Sequence, residues 1–262
     1  MNLFLKTGLE LEYINGDIEL PEDICVRDKW DRTVEAMSPV LFLSNPGDKR
    51  AMYRVWRGIY KKEDAEFFDN LKISYDFTAV FPVKINKEIA KTFGHYHSRD
   101  MMGVMYPEIL EVISGKVWWI LQKPRLDPSE LDEIYFVQME AGEKVIIPAG
   151  YGHNISNPAG EDLILANLLC TEDKHDYKTY ESLRGAGYYL IESENQQVEF
   201  KKNTSYKFVP EIIKLKPKNP PGLGLDFKES LYQMAKNQNL EFLSRPHKYA
   251  ALLTIENCFE KI

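Results

Sequence analysis

The chain has 262 residues, a length that suits one large domain or one domain with an appendage. Hydrophobic residues make up 44% and charged residues 28%, so a sizeable core can be buried. The net charge is −7, and the scattered Lys and Arg form no basic stripe, which argues against nucleic acid as a partner.

The first residues lack the apolar run of a signal peptide, and no stretch of 18 apolar residues could span a membrane. Cys25, Cys170 and Cys258 are an odd number at unpatterned spacing, which favours reduced thiols over a disulfide framework. We therefore expect a cytoplasmic protein that does not contact a membrane.

The pattern of short apolar runs predicts a mainly β chain. Residues 1–70 mix strand-like runs at 9–13 and 40–43 with one predicted helix at 31–37. From residue 72 to about 190, Gly, Pro, Asn and Asp separate further runs, at 74–81, 109–113, 117–122, 134–139, 144–148 and 163–168. Many short strands at close spacing predict an antiparallel barrel or sandwich.

The end of the chain has a different residue pattern. Residues 216–222 read Lys-Pro-Lys-Asn-Pro-Pro-Gly, a segment that breaks regular structure. Beyond it, residues 227–243 carry apolar side chains at helical spacing, and residues 249–259 suggest a second helix. We predict a catalytic domain at 1–194 and a partly helical extension at 195–262 that serves packing or dimerisation, in a homodimer.

Two histidines at strand spacing begin the informative part of the sequence. His95 and His97 are two residues apart, so on an extended chain both rings point to the same face. Glu108 opens the next apolar run and offers a hard oxygen ligand, and Gly115 marks the turn after that run. Two imidazoles and a carboxylate on one face are suited to binding one metal ion.

A second segment completes the ligand set. Pro148 and Gly150 build a turn, and His153 follows at the start of the next predicted strand. His95, His97, Glu108 and His153 would then bind one divalent metal ion per chain. Mixed nitrogen and oxygen ligands suit iron, nickel, manganese or zinc; we name iron first, although residue types alone do not choose among these ions.

Together the two segments match the paired motifs of the cupins, the second of them at every fixed position. The first is His-x-His with a Glu and, seven residues on, a Gly; the second is Gly-x5-Pro-x-Gly-x2-His-x3-Asn, from Gly142 to Asn157. Three of the five histidines fall on motif positions. We predict a cupin fold, a double-stranded β-helix or jelly-roll barrel with flanking N-terminal elements and a helical C-terminal extension.

Within the cupins, the chain resembles the archaeal-type glucose-6-phosphate isomerases over residues 53–192. The residues that carry the resemblance are Thr92-x-Gly94-His95-Tyr96-His97, Pro107-Glu108 through Gly115, Leu121-Gln122, Phe77-Thr78-Ala79-Val80-Phe81-Pro82 and His175-Asp176-Tyr177. The resemblance implies that Thr78, Thr92 and Gly94 contact a sugar phosphate, that His175 and Tyr177 close over it, and that Tyr53 lies near it. Leu110 and Leu169 depart from the family, since many members carry Tyr at the first position and some carry a phosphate-contacting Tyr at the second.

The resemblance implies an enzyme that interconverts glucose 6-phosphate and fructose 6-phosphate, a step of glycolysis and gluconeogenesis. Moving a proton between C2 and C1 needs a general base, for which Glu108 is the candidate, with His153 and His175 as the other catalytic candidates. A hydride shift is the alternative mechanism. The alternative functions are a cupin Fe(II) dioxygenase, which does not need the phosphate contacts, and a non-catalytic sugar-binding cupin.

Overall fold

The protein is built mainly of β-strands. A computed structural model describes residues 1–193, 195 and 197–262. Its strands are β1 (Glu12–Ile14), β2 (Asp17–Glu19), β3 (Ile24–Cys25), β4 (Asp28–Thr33), β5 (Ala51–Arg57), β6 (Tyr60–Lys61), β7 (Ile73–Val80), β8 (Ala90–Lys91), β9 (Glu108–Ser114), β10 (Lys116–Pro124), β11 (Leu131–Glu140), β12 (Lys144–Ile147), β13 (Gly152–Asn157), β14 (Leu163–Cys170), β15 (Tyr188–Glu192), β16 (Val198–Lys202), β17 (Ile213–Pro217) and β18 (Phe259–Lys261). Its α-helices are α1 (Phe4–Thr7), α2 (Ala65–Leu71), α3 (Lys178–Ser182), α4 (Leu231–Asn237), α5 (Glu241–Ser244) and α6 (Ile255–Cys258), and 3₁₀ turns cover Glu35–Val40, Lys62–Asp64 and Pro246–Lys248. Within the described residues, no helix is long and apolar enough to cross a bilayer.

Two six-stranded sheets form the body of the molecule. One has the order β12-β9-β14-β7-β5-β4, and the other β18-β17-β11-β10-β13-β8. Neighbouring strands are antiparallel except β11 and β17, which are parallel. The mainly β, two-sheet architecture predicted for a cupin is confirmed. All eight residues of β14 are buried, because its strand neighbours, the interior and the C-terminal extension enclose it.

The register of the first sheet places polar side chains together on its inner face. Thr78 of β7 lies opposite Val55 of β5, and Glu108 of β9 lies opposite Leu169 of β14. Since side chains alternate along a strand, residues two apart on β7 share this face. The inner face of the sheet therefore supplies one wall of a cavity.

The helix predicted at residues 31–37 is wrong. Residues up to Thr33 belong to β4, which pairs with β5 along its length, and a 3₁₀ turn follows at Glu35–Val40. Pro39 cannot donate a helical hydrogen bond, and the long-range pairing with β5 decides the conformation of the preceding residues. The predicted strand at 40–43 is also absent, since this described segment finds no strand partner.

The extension is less helical than predicted. Of the helix expected at 227–243, only α4 and α5 form; the Ser230 side chain caps the start of α4 by accepting from the Gln233 N–H. The extension also contributes β16, β17 and β18. Of these, β17 pairs with β11 in the second six-stranded sheet. The predicted domain boundary falls at Glu194, which lies outside the described residues.

A buried ion pair anchors the extension to the first sheet. Lys144 of β12 faces Glu111 of β9, and their charged atoms lie 2.8 Å apart. The Glu111 carboxylate also accepts from the Leu231 N–H, and Lys144 donates to the Phe227 carbonyl. The start of α4 is therefore fixed by two charged side chains of the core sheet.

Candidate active site and metal centre

The four predicted metal ligands come together between the two sheets. The backbone groups of His95 and His153 exchange hydrogen bonds of 3.1 and 3.0 Å, so these rings enter the cavity side by side. His97 follows on the same extended segment, and Glu108 projects from the first position of β9. One ligand atom from each of the four residues lies within 4.8 Å of the others.

The atoms at the centre of this cluster have no partners in the described part of the chain. His95 Nε2, His97 Nε2 and Glu108 Oε2 are buried and make no hydrogen bond. Buried polar atoms in native proteins are nearly always paired. A cation would satisfy all of these atoms at once, and three imidazoles with one carboxylate suit a transition metal. The residues present therefore fit one divalent metal ion.

Burial sets the protonation of the cluster. It lowers the pKa of His95 and of His153 well below the usual range, so both rings offer lone pairs at neutral pH. Burial also raises the pKa of Glu108. His97 differs: burial acts to lower its pKa, but the carboxylates of Asp173 and Glu108 outweigh this and raise it to about 9.

The predicted phosphate contacts line the same cavity as Glu108. Thr78, Thr92 and Gly94 all contribute to its wall. The Thr92 hydroxyl accepts from the Ile155 N–H at 3.0 Å, which leaves its own proton free to be donated. In the described residues, the Thr78 hydroxyl and the Gly94 N–H have no hydrogen-bond partner.

Gly94 has a structural reason to be glycine. Its φ of +83° lies in the left-handed region, and a Cβ at this position would approach the Tyr180 ring to 2.4 Å. Any other residue would therefore displace Tyr180 or the backbone that carries His95.

His175 and Tyr177 close the cavity from the segment that follows β14. The His175 ring stacks on His95 with centroids 3.9 Å apart, and its Nδ1 lies 3.2 Å from the Tyr177 hydroxyl. Burial and the nearby charges of His97 and Arg57 lower the pKa of His175 to about 3, so its ring is neutral at physiological pH. Tyr53 on β5 also lines the cavity.

The cavity wall also includes a positively charged side chain, that of Arg57, which the motifs did not reveal. Arg57 donates to Asp76 at 2.8 Å, and its other terminal nitrogen lies 3.5 Å from His175 Nδ1. Asp76 is buried and also accepts from the Gly58 N–H and the Ser74 hydroxyl. Alternation along β5, which puts Arg57 on the face of Tyr53, is the sequence signal that could have found it.

Three further residues that line the cavity lie outside the predicted site. Leu110 and Leu169, the two positions expected to depart from the family pattern, both line the cavity, so this part of its wall is apolar. Trp30 of β4 lines it as well. The sequence analysis did not indicate Trp30, which belongs to none of the motifs and directly precedes the segment predicted as a helix.

Similarity to solved structures is partial. The hazelnut vicilin from Corylus avellana matches 50% of this chain and 33% of its own with a TM-score of 0.36 and 14% identity. A structure from a study of oxalate oxidase matches 45% of this chain and 50% of its own with a TM-score of 0.33 and 19% identity. These partial likenesses carry no functional implication.

Sequence comparison is more specific. Glucose-6-phosphate isomerase from Pyrococcus abyssi is 29% identical over 58% of this chain and 79% of its own length. The enzyme of that name from Thermococcus litoralis is 26% identical over 76% of this chain and 96% of its own. The family model described as glucose-6-phosphate isomerase matches residues 36–207, well over half of the chain. The chain therefore belongs to the glucose-6-phosphate isomerase family, as its motifs predict.

Proposed function

We propose that this chain is a metal-dependent isomerase that interconverts glucose 6-phosphate and fructose 6-phosphate, as in glycolysis and gluconeogenesis. The observation that carries the proposal is the convergence of His95, His97, Glu108 and His153. Within the described residues, three of the atoms at its centre (His95 Nε2, His97 Nε2 and Glu108 Oε2) make no hydrogen bond. A divalent metal bound there would polarise the O1 and O2 oxygens of the open-chain sugar. Membership of the family supports the reaction, and the residue cluster supports the dependence on a metal.

The cavity wall supports a phosphorylated substrate. Thr78, Thr92 and the Gly94 amide offer three neutral donors in one cavity. Neutral donors bind a dianion well where water is excluded, since each hydrogen bond to a charged group contributes about 1.5–3 kcal/mol. Arg57 adds a positive charge close by, partly neutralised by Asp76.

Glu108 and His175 are suited to the proton chemistry. Burial raises the pKa of Glu108, which makes its carboxylate a better base than an exposed one. Its Oε2 faces the cavity without a hydrogen-bond partner in the described chain. The neutral His175 ring stacks on His95, and its buried Nε2 makes no hydrogen bond within the described residues although Asp173 Oδ2 lies 3.4 Å away, so it is suited to relaying a proton to or from a substrate hydroxyl.

The inner cavity is small for a sugar phosphate while the His175 and Tyr177 side chains close it. The inner cavity holds about 60 Å³, far less than the roughly 300 Å³ or more of ordinary small-molecule sites. An outer cavity of about 430 Å³ shares Arg57, Leu169, His175 and Tyr177 with the inner one. Outward movement of the His175 and Tyr177 side chains would join the two into a larger site, while Asp173 stays bonded to Ser98 and His97.

The identity of the metal, the oligomeric state and the cellular location are further parts of this proposal. We retain iron as the first choice among the metals that this ligand set suits. We also retain a homodimer and a cytoplasmic location.

The direct test combines metal analysis with a coupled assay on fructose 6-phosphate. We expect one metal ion per purified chain, loss of turnover with a chelator and recovery on adding metal back. His153→Ala removes one ligand from a pocket formed by other strands, so we expect loss of both metal and turnover with the fold retained. His247→Ala is the matched control, because His247 bonds to Asp100 and lies outside the cluster.

Two results would contradict the proposal. Metal-free wild-type protein with full turnover would remove the metal from the mechanism. Metal-loaded protein that leaves fructose 6-phosphate unchanged would remove the isomerase activity while leaving the metal site in place.

A further inference from the structure

One of the three histidines in the cluster is held by a buried carboxylate. His97 Nδ1 lies 2.5 Å from Asp173 Oδ2, and the side chain of Asp173 is 0% exposed. A carboxylate accepts hydrogen bonds, so the Nδ1–H of His97 donates to it. The other ring nitrogen, Nε2, has no partner in the described chain and lies 3.5 Å from Glu108 Oε2.

Asp173 is itself fixed in place. Its Oδ1 accepts from the Ser98 N–H at 2.7 Å and from the Ser98 hydroxyl at 2.9 Å. The Ser98 oxygen in turn accepts from the Lys174 N–H at 2.9 Å. These bonds leave Oδ2 to His97, and His175 Nε2 lies 3.4 Å from the same oxygen.

The other two histidines lack such a partner. No carboxylate hydrogen bond to His95 is present in the described part of the chain, and His153 Nδ1 is buried without a partner. His153 Nε2 lies 3.5 Å from Glu108 Oε2. The orientation and tautomer of His97 alone are therefore set by a carboxylate outside the cluster.

We propose that Asp173 is a positioning residue for His97: its carboxylate accepts the Nδ1–H and so fixes Nε2 as the ring nitrogen directed into the metal cluster. The inference rests on the metal site of the proposed function. Carboxylates in this position typically contribute a factor of 10–100 to metal affinity. Asp173 is also two residues before His175, so the segment that closes the cavity also orients one metal ligand.

Asp173→Asn tests this role because it preserves the shape of the side chain and its hydrogen bonds with Ser98. The Asn oxygen still accepts from both Ser98 donors, but its NH₂ group cannot accept the His97 proton. We expect zinc affinity, measured by competition with a chromophoric chelator, to fall about 10–100-fold. A downfield His97 Nδ1–H resonance, present in wild-type protein with and without zinc, should be lost in ¹⁵N-histidine spectra of the variant.

Two further variants separate positioning from general damage. Asp176→Asn is the matched control, because its carboxylate accepts from the Lys178 N–H and the Thr179 hydroxyl outside the cluster. It should keep wild-type zinc affinity and the His97 resonance. Ser98→Ala removes one support of Asp173 but not its carboxylate, so it should weaken zinc binding less than Asp173→Asn. This variant carries the test if Asp173→Asn does not fold.

The outcomes are distinct. Unchanged zinc affinity and an unchanged His97 resonance in Asp173→Asn would overturn the positioning role. Two zinc ions per wild-type chain, one of them lost in Asp173→Asn, would overturn it by making Asp173 a ligand. If wild-type protein binds no zinc, iron, nickel or manganese, the proposed metal site fails, while the resonance still reports whether Asp173 holds the His97 proton.

Discussion

At the scale of single residues, the cavity has one group of side chains suited to a cation and another suited to an anion. The atoms of the histidines and Glu108 point at one another and are suited to a cation, whereas Thr78, Thr92 and Gly94 offer donors to an anion. The Thr78 hydroxyl can be tested alone, because no other group in the described chain depends on it. Thr92 is a less clean test, since its oxygen also accepts from Ile155.

Replacing Thr78 by Val keeps the shape of the side chain and removes the hydroxyl. We expect kcat/KM for fructose 6-phosphate to fall about tenfold, because a hydrogen bond to the phosphate is lost. Turnover of unphosphorylated fructose should not change. The exposed Thr204→Val serves as the control and should match the wild type on both sugars. Equal losses on both sugars, or no loss with the phosphorylated one, would show that Thr78 does not contact phosphate.

At the scale of elements, β9 carries a functional and a structural carboxylate on opposite faces. Glu108 faces the cavity, and Glu111, three residues on, faces Lys144 and the start of α4. Both members of the Glu111–Lys144 pair are almost fully buried. A buried pair is costly to break from one side, because the remaining charge is left without a partner.

Lys144→Met should therefore destabilise the protein by about 3–5 kcal/mol, measured by urea unfolding. Adding Glu111→Gln should recover most of this, because the Gln is neutral and still accepts from the Leu231 N–H. The exposed pair of Lys116 and Glu140 gives the control: Lys116→Met should leave the unfolding midpoint nearly unchanged. A double variant no more stable than Lys144→Met would show that the lost stability comes from packing and not from an unpaired charge.

At the scale of the whole molecule, the C-terminal extension is part of the fold. β17 joins the second sheet beside β11, and α4 and α5 cover the outer face of β14. The extension contributes apolar side chains that are almost fully buried, among them Leu215, Leu231, Tyr232, Met234, Phe242 and Leu243. Burying one such side chain contributes about 1.5–3 kcal/mol, and a domain is stable by only about 5–15 kcal/mol in total.

A chain that ends at residue 212 should consequently fail to fold, or melt at least 10 °C lower, since it loses more than one such contribution. Removing only the exposed Ile262 is the control and should leave the melting temperature unchanged. Thermal unfolding and size-exclusion chromatography provide the measurements. A stable truncated chain of unchanged oligomer size that lacks turnover would instead assign the extension to the active site.

The ligand set could be predicted from the sequence because its determinants are local. Two-residue spacing puts His95 and His97 on one side of any extended segment, and the turn made by Pro148 and Gly150 leads into the strand that carries His153. The helix predicted at 31–37 failed for the opposite reason. A strand partner 18 or more residues away, β5, decided the conformation of its first residues.

The amino-acid sequence by itself determined the mainly β architecture, the family, and the four side chains that can hold a metal, since period-two patterning and turn residues act over a few positions. Only the tertiary structure decided that Arg57 and Asp76 line the cavity, that Asp173 stands behind His97, and that β17 completes a sheet. Each of these contacts joins residues distant in the chain. Burial and strand register created them, and a short sequence window contains neither.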